Sequence, residues 1–444
     1  MRFAPELETC LTERANRKIP SSIRQFAMPA TGEGWNGLYI LFGRRRAFVD
    51  GRRSGHSEVE HEVVKVMFHG WEFPPRGSGI GAYVARMAGA LRDAGHAVVI
   101  ATSVGDGLAQ HEETSLGTVH RCYTLDEIGS ARVRDVVLGL ARDHGVDFIE
   151  GVDHLGESAS LLPVRHRPPV LIKCHYNDVL VFPRYAQARY AWQKLAITAA
   201  CLRARDRIAR ERSSIEGAEM LTTPCLRMMD EIRQARLSIP ACHAVIPNPV
   251  RSLPDWVNCE AADPTMLFVG RLDIGKGIQF LAVMLRELAR RFPDARLELA
   301  GEDTMARGIG SLKTWLIRQL GALADRVRFL GRLSARELDE AYRRAWVVIV
   351  PSRWDTFPSV VQEAMVRAKA IVASPHGGMP EMLHGTECAI ADPGAPAFVQ
   401  AVAGYIADED RRRQAGARAR ERAARVYSPV VIADAYIRQV QAWL

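Results

Sequence analysis

A five-residue apolar run followed by a proline-bounded loop and then a helical pattern limits what this chain can fold into. Trp346-Val347-Val348-Ile349-Val350 is too short for a helix and rich in β-branched residues, which marks a strand buried on both faces. From Val360 the spacing turns helical, with Val360, Val361, Ala364 and Met365 on one face and Gln362 and Glu363 off it, and Pro358 suits a first helical turn. Strand, loop and helix in this order predict an open α/β sheet. In such sheets ligands sit outside the carboxyl ends of the strands, where a helix N-terminus offers unpaired N–H groups to an anion. Asp355 and Glu363, with seven residues between them, bracket that opening. Either they hold hydroxyls of a sugar or ribose while backbone N–H groups take a phosphate, or Asp355 caps the helix and Glu363 is solvated on it.

At 444 residues the chain exceeds what one core usually serves, so two domains are expected. Residues 1–62 lack a sustained period and read as a poorly ordered N-terminal extension. The first domain, 63–255, opens with a strand at Val63 to Phe68 and a glycine-rich turn, Pro74 to Gly81. A helix carrying Tyr83, Val84, Met87, Ala88 and Leu91 follows, then a second strand from Ala97 to Thr102. That is a βαβ unit with a glycine turn, either a plain tight turn or a place where backbone nears a ligand. Further strand-like runs at Phe148-Ile149 and Val170 to Lys173 lead to His154 and His175, the latter just past a strand's carboxyl end. Each is either a structural hydrogen-bonder or a ligand contact. The arginine-rich stretch 182–215, with Trp192, Leu195, Ile197, Leu202 and Ile208, is expected to be a core-facing helix. Pro247-Asn248-Pro249 opens a linker at about 249–263.

The second domain, 256–428, begins with a strand at Thr265 to Val269 that feeds Gly270-Arg271-Leu272-Asp273-Ile274-Gly275-Lys276-Gly277. Two cations at a strand end, with glycines removing bulk, can grip a diphosphate, Arg as a fork and Lys as a point charge; the alternative is a solvated charged loop. Strands at Arg296 to Ala300, Val327 to Leu330 and Ala370 to Ala373 continue the alternation, and Ser334 with Glu337 forms a capping box. His376-Gly377-Gly378-Met379-Pro380-Glu381 follows. A last helix over 429–444 is apolar at Val430, Val431, Ala433, Tyr436, Ile437, Val440 and Leu444.

No apolar run reaches the roughly 18 residues of a membrane span, and no secretory leader core is evident, so a cytoplasmic protein is expected. Eight scattered cysteines without Cys-x-x-Cys or zinc spacing argue for free thiols and no metal site. The net charge of +8 is concentrated in arginine runs that read as solvated helix faces or as a peripheral contact with the inner face of an anionic membrane. Aromatics do not interleave with these runs, which argues against nucleic acid.

Several of these words together resemble the family 4 retaining glycosyltransferases of glycosyl transferases group 1. Asp355 to Glu363 is similar to the family's Glu-x7-Glu motif with Asp first, in the loop Asp-Thr-Phe-Pro. Gly270 to Gly277 matches Gly-Arg-Leu-x-x-x-Lys-Gly, and Gly377 to Glu381 matches Gly-Gly-x-Pro-Glu. Ser78 to Tyr83 with Gly95 to Val98, Glu211 to Pro224, and Val245 to Val250 resemble further landmarks, all in family order. The resemblance implies a GT-B fold, α/β, with two Rossmann-like doubly wound domains facing across a cleft and the C-terminal helix crossing back to the first. It implies retaining transfer of a sugar from a UDP- or GDP-type nucleotide-sugar donor to a hydroxyl of a glycan, lipid-linked or small-molecule acceptor, without cofactor or metal. It assigns Arg271 and Lys276 to the donor diphosphate, Asp355 to the donor sugar and Glu363 to the ribose. Gly79, Gly270, Phe357, Pro358, Ser359 and Gly378 line the donor site, His175 is the cleft histidine, and His154 lies on the acceptor side. Two alternatives stay open: a phosphorylase of the same fold using inorganic phosphate, and a non-catalytic binding protein.

Overall fold

Strands that are apolar on both faces require neighbours on both edges and helices above and below, and the chain meets that requirement twice. The computed structural model describes residues 38–42, 45–49, 63–75, 79–180, 191–306 and 308–444. Most of the expected 1–62 extension lies outside these residues, as do Ser78 of the glycine turn and 181–190 of the arginine-rich stretch. Within 1–62 an antiparallel hairpin pairs Leu38–Phe42 with Arg45–Val49. The chain divides into an N-terminal unit, Gly37–Arg251 joined by Arg425–Leu444, and a C-terminal unit, Ser252–Ala424.

The sheet of the N-terminal unit contains β1 (Lys65–His69), β2 (Ala97–Ser103), β3 (His111–Thr114), β4 (Gly117–Tyr123), β5 (Phe148–Val152), β6 (Val170–Lys173), β7 (Met220–Thr223) and β8 (Cys242–Val245). The order is β8-β7-β6-β5-β1-β2-β4-β3, parallel throughout except for the antiparallel edge strand β3. The C-terminal unit has β9 (Thr265–Val269), β10 (Arg296–Ala300), β11 (Val327–Gly331), β12 (Val347–Val350), β13 (Ala370–Ala373) and β14 (Ala389–Ile390), ordered β11-β10-β9-β12-β13-β14 and all parallel. Both sheets reverse their strand order beside the first strand, the Rossmann-like pattern that opens a crevice at the strands' carboxyl ends.

The C-terminal core fills from Leu281, Leu285 and Leu288 of helix Ile278–Arg291 against Leu297, Leu299, Ile349 and Val372 of the sheet. All four residues of β12 are buried, and helix Ser359–Val366 follows it. Gln362, expected off the core face, is buried to 1% exposure, because this eight-residue helix is flanked on more than one side.

The final helix, Pro429–Gln441, belongs to the N-terminal unit and packs against helix Gly79–Asp93. Its buried stripe is Ile432, Ala433, Tyr436, Ile437 and Val440, a 3.6-residue spacing that leaves Val430 and Leu444 exposed. The Tyr436 hydroxyl donates to the buried Glu150. In helix Ala191–Gly217 the side chains of Trp192, Leu195 and Ile197 lie outside the described residues; among those described, Leu202 is 65% exposed and burial falls on Ala204, Glu211, Ser214 and Ile215. The helix lies close to the turn after β5, where a Cβ on Gly156 (φ +61°) would come within 2.4 Å of Arg210 backbone. Among the described residues no helix is long and apolar enough to cross a membrane.

Candidate active site

In the C-terminal unit, backbone contacts fasten the loop after β9 to the loop after β12. Gly270 (φ +146°) leaves β9, and Leu272 N–H donates to the Glu302 carbonyl at 2.8 Å. Asp273 turns the chain by accepting the Lys276 N–H at 2.8 Å. Gly277 (φ +86°) then starts helix Ile278–Arg291, and any side chain there would meet the Pro351 carbonyl at 2.0 Å. Arg353 N–H donates to the Gly275 carbonyl at 2.8 Å, so the two loops form one surface.

That surface brings the expected cation and acid together. Lys276 Nζ donates to Asp355 Oδ2 at 2.6 Å, with the two side chains 34% and 17% exposed. The Asp355 carboxylate holds the Lys276 ammonium above its usual range despite partial burial. Asp355 therefore does not cap the helix: the N-cap is Pro358, which has no side-chain cap bond. Arg271 lies in the same loop with its side chain 69% exposed, Nη2 3.2 Å from Asp273 Oδ2. Gly378 N–H donates to the Asp355 carbonyl at 3.1 Å, which fixes the acid's backbone. Phe357 is buried, and Ser359 begins the helix that carries Glu363. Glu363 is half-buried, its Oε2 accepting from the Tyr342 hydroxyl at 3.3 Å. Arg271, Lys276 and Asp355 thus occur just past the carboxyl ends of β9 and β12, and Glu363 on the helix that follows β12.

In the N-terminal unit, His175 follows β6 and is buried, its ring edge-on to Tyr83 at 4.5 Å. Burial first, then Lys173 and His154, push its imidazole well below the usual range, so it is neutral. The His175 backbone N–H donates to Asp153 Oδ1 at 2.9 Å, and Asn177 Nδ2 donates to Asp153 Oδ2 at 2.6 Å. His154 starts the next turn, 6.1 Å from the Tyr176 ring. Glu211 of helix Ala191–Gly217 ties these loops together, accepting from Asp178 N–H at 2.7 Å and Leu155 N–H at 3.2 Å. Gly79 is the first residue of its helix, and a Cβ there would meet nothing within 4 Å. The crowded glycine is Gly81, whose N–H donates to Glu72 at 3.2 Å and whose Cβ would sit 3.3 Å from Glu72. Of the two, Gly81 is the tighter position.

Sequence reasoning missed Asp153, Glu211, Tyr342 and Glu157. Asp153 had a signal, an acid immediately after a strand, and Glu211 opens one of the family landmarks; Tyr342 and Glu157 reach their partners across at least twenty residues of chain, with no local word to mark them. Glu157, buried, accepts from the Tyr123 hydroxyl at 3.2 Å, and burial raises its carboxyl to about 8. Between the unfolded value near 4.5 and about 8 the folded protein keeps a proton that the unfolded chain has lost. This carboxyl's contribution to stability is full below 4.5 and disappears as pH rises through about 8. Glu157→Gln, neutral at every pH, is expected to match wild type at pH 4.5 and exceed it at pH 9, by at most about 5 kcal/mol. Urea titrations at the two pH values check this, and an equal gap at both would contradict it.

Among the described residues no three His, Cys, Asp or Glu side chains converge as a metal set, and the cysteines are free. Two family models match the chain, "Glycosyl transferases group 1" over residues 258–422 and "Glycosyl transferase 4-like domain" over 78–249. Among curated proteins, the D-inositol 3-phosphate glycosyltransferase of Corynebacterium diphtheriae is 34% identical over 163 residues, 36% of this chain and 38% of that protein. The mannosylfructose-phosphate synthase of Agrobacterium fabrum is 33% identical over 133 residues, 29% of each. These matches span well under half the length of either relative. Among solved structures, the sucrose-phosphate synthase from Thermosynechococcus elongatus aligns with a TM-score of 0.69 at 20% identity, over 85% of this chain and 99% of that one. Anabaena HepE in complex with UDP-glucose aligns with a TM-score of 0.65 at 19% identity, over 86% and 100%. The shared fold is the GT-B pair of Rossmann-like domains.

Proposed function

Because the chain belongs to the group 1 glycosyltransferases, with a 4-like N-terminal domain, we propose that it moves a sugar from a nucleotide-sugar to a hydroxyl acceptor with retention of configuration. The observation that carries the reading is the 2.6 Å pair of Lys276 and Asp355 at adjacent strand ends, with Arg271 exposed in the same loop. A diphosphate leaving group gains negative charge as the bond to the sugar's anomeric carbon breaks, and cations already in place stabilise it. In this proposal Lys276 and Arg271 take the diphosphate, Asp355 orients the donor sugar, and Glu363 binds the ribose. Gly270, Gly378 and the backbone from Phe357 to Ser359 shape the donor seat. The acceptor hydroxyl attacks on the face that the diphosphate leaves, forming the new C–O bond as the old one breaks, and its proton passes to the departing phosphate oxygen. His175, neutral, would contact a hydroxyl as a hydrogen-bond partner rather than as a cation, and His154 would serve the acceptor side. The two cations supply the positive charge, so activity is expected to survive EDTA.

Solved relatives in complex with UDP-glucose and with ADP support a nucleotide donor. A thermal-shift screen with UDP, GDP and ADP and their glucose or mannose conjugates tests the reading, because a ligand that binds only the folded state raises its melting point. A rise with one nucleotide family, followed by transfer that keeps the donor's anomeric configuration, is the expected result. No shift with any of them, or inverted product, would overturn it.

A further inference from the structure

The acid assigned to the ribose does not aim itself. Tyr342, on helix Ala335–Arg344, has its ring fully buried and its hydroxyl at 3.3 Å from Glu363 Oε2. Arg367, one residue past the end of Glu363's helix, donates from Nη1 to Glu363's own carbonyl at 2.9 Å. Its Nε donates to Asp339 Oδ1 at 3.1 Å, and its guanidinium lies over the Tyr342 ring at 4.6 Å. The same guanidinium lies 5.1 Å from the Trp256 ring, which Arg343 also covers at 4.4 Å. Trp256 is itself fixed: its Nε1 donates to Asn258 at 2.9 Å, and Arg420 donates to the Leu253 and Pro254 carbonyls at 2.6 and 2.7 Å. The result is a layered stack of Arg343, Trp256, Arg367 and Tyr342, ending on the Glu363 carboxylate.

A charged group is a costly way to fill space beneath a helix, since an apolar residue of similar volume avoids its desolvation. Arg367 is 11% exposed and does what an apolar residue cannot. Its planar fork holds the helix turn that carries Glu363 and, through Asp339, the helix that carries Tyr342, while its face sets the plane of the Tyr342 ring. Resting on the donor reading above, we propose that Tyr342 and Arg367 are positioning residues that aim Glu363 and so set the enzyme's selection for a ribose diol in its nucleotide donor.

The test measures, by calorimetric titration, the dissociation constants of wild type, Tyr342→Phe and Arg367→Lys. The ligands are whichever of UDP, GDP and ADP binds wild type, and its 2′,3′-dideoxy analogue. Wild type prefers the ribose form. Tyr342→Phe, which keeps the buried ring, weakens ribose-form binding about five- to tenfold and leaves dideoxy binding unchanged. Arg367→Lys, which keeps the charge but not the fork, erodes the same preference. In steady-state kinetics the Tyr342→Phe donor KM rises in step while kcat holds, a split that a general loss of stability would not give. A variant that discriminates between the two ligands as well as wild type does overturns this inference alone. Wild type that binds a nucleotide without preferring ribose overturns it together with Glu363's role, and wild type that binds none of the three overturns the donor reading itself.

Discussion

Lys276→Ala is expected to lower kcat/KM by about two to three orders of magnitude while the melting temperature falls by roughly 2–12 °C. The two effects separate because they come from different partners. Against stability, the substitution removes one ion pair and leaves Asp355, 17% exposed, without its cation, a loss of roughly 1–3 kcal/mol. Against catalysis, it removes a positive charge from the place where, in the proposed reaction, the diphosphate departs. The Asp355 carboxylate holds the Lys276 ammonium above its usual range, so that charge persists throughout the assay pH range and no pH adjustment should rescue the variant. Arg271→Ala is expected to cut turnover with still less structural effect, because its bond to Asp273 spans 3.2 Å on a side chain 69% exposed, where ion pairs contribute about 0–1 kcal/mol. Steady-state kinetics beside scanning calorimetry decide the matter. A Lys276→Ala enzyme within threefold of wild type would remove the cation from the reaction.

The contacts behind this expectation were legible in the sequence to different depths. The strands that place the site were readable because an apolar run such as Val347 to Val350 carries its burial in its own composition. The glycine words were readable because positive φ and close backbone approach leave few residues to choose from, as at Gly277. The edge of the N-terminal sheet was not read. Gly117 to Tyr123 does alternate buried and half-buried positions, but His120 and Arg121 break the apolar signal, and Arg121 is buried with its guanidinium paired to Glu112 on the adjacent strand and donating to the Ala109 carbonyl. The last helix was readable from its apolar spacing, and Ala433, Tyr436, Ile437 and Val440 are buried, but only the partner helix decides that Val430 stays exposed. Least legible were the partners of the proposed site residues. Nothing local announces that Tyr342 reaches Glu363 or that Glu211 holds the loop at Asp178, because each pairing is made by the packing of whole elements.

Packing of that kind makes the second large effect fall on a glycine rather than on a charged group. Gly377 has φ +79°, and a Cβ there would sit 1.8 Å from the Asp355 carbonyl oxygen and 2.7 Å from its carbon. The carbonyl cannot simply swing away, because it accepts the Gly378 N–H at 3.1 Å. Gly385 provides the comparison within the same unit: its φ is +71°, but a Cβ there would meet nothing within 4 Å. Gly385→Ala therefore carries only the left-handed penalty, about 1 kcal/mol. Gly377→Ala carries that penalty plus a backbone clash, and is expected to cost on the order of 3 kcal/mol or more, a drop of roughly 6–12 °C in melting temperature. The strain should relax by moving the loop that carries Asp355, so whatever Gly377→Ala protein folds should also bind the proposed nucleotide-sugar donor more weakly, whereas Gly385→Ala should bind normally. Urea unfolding and donor titration of the two variants side by side test this. If the two alanines cost the same, the contact between Gly377 and the Asp355 carbonyl is not what holds that acid in place beside Lys276.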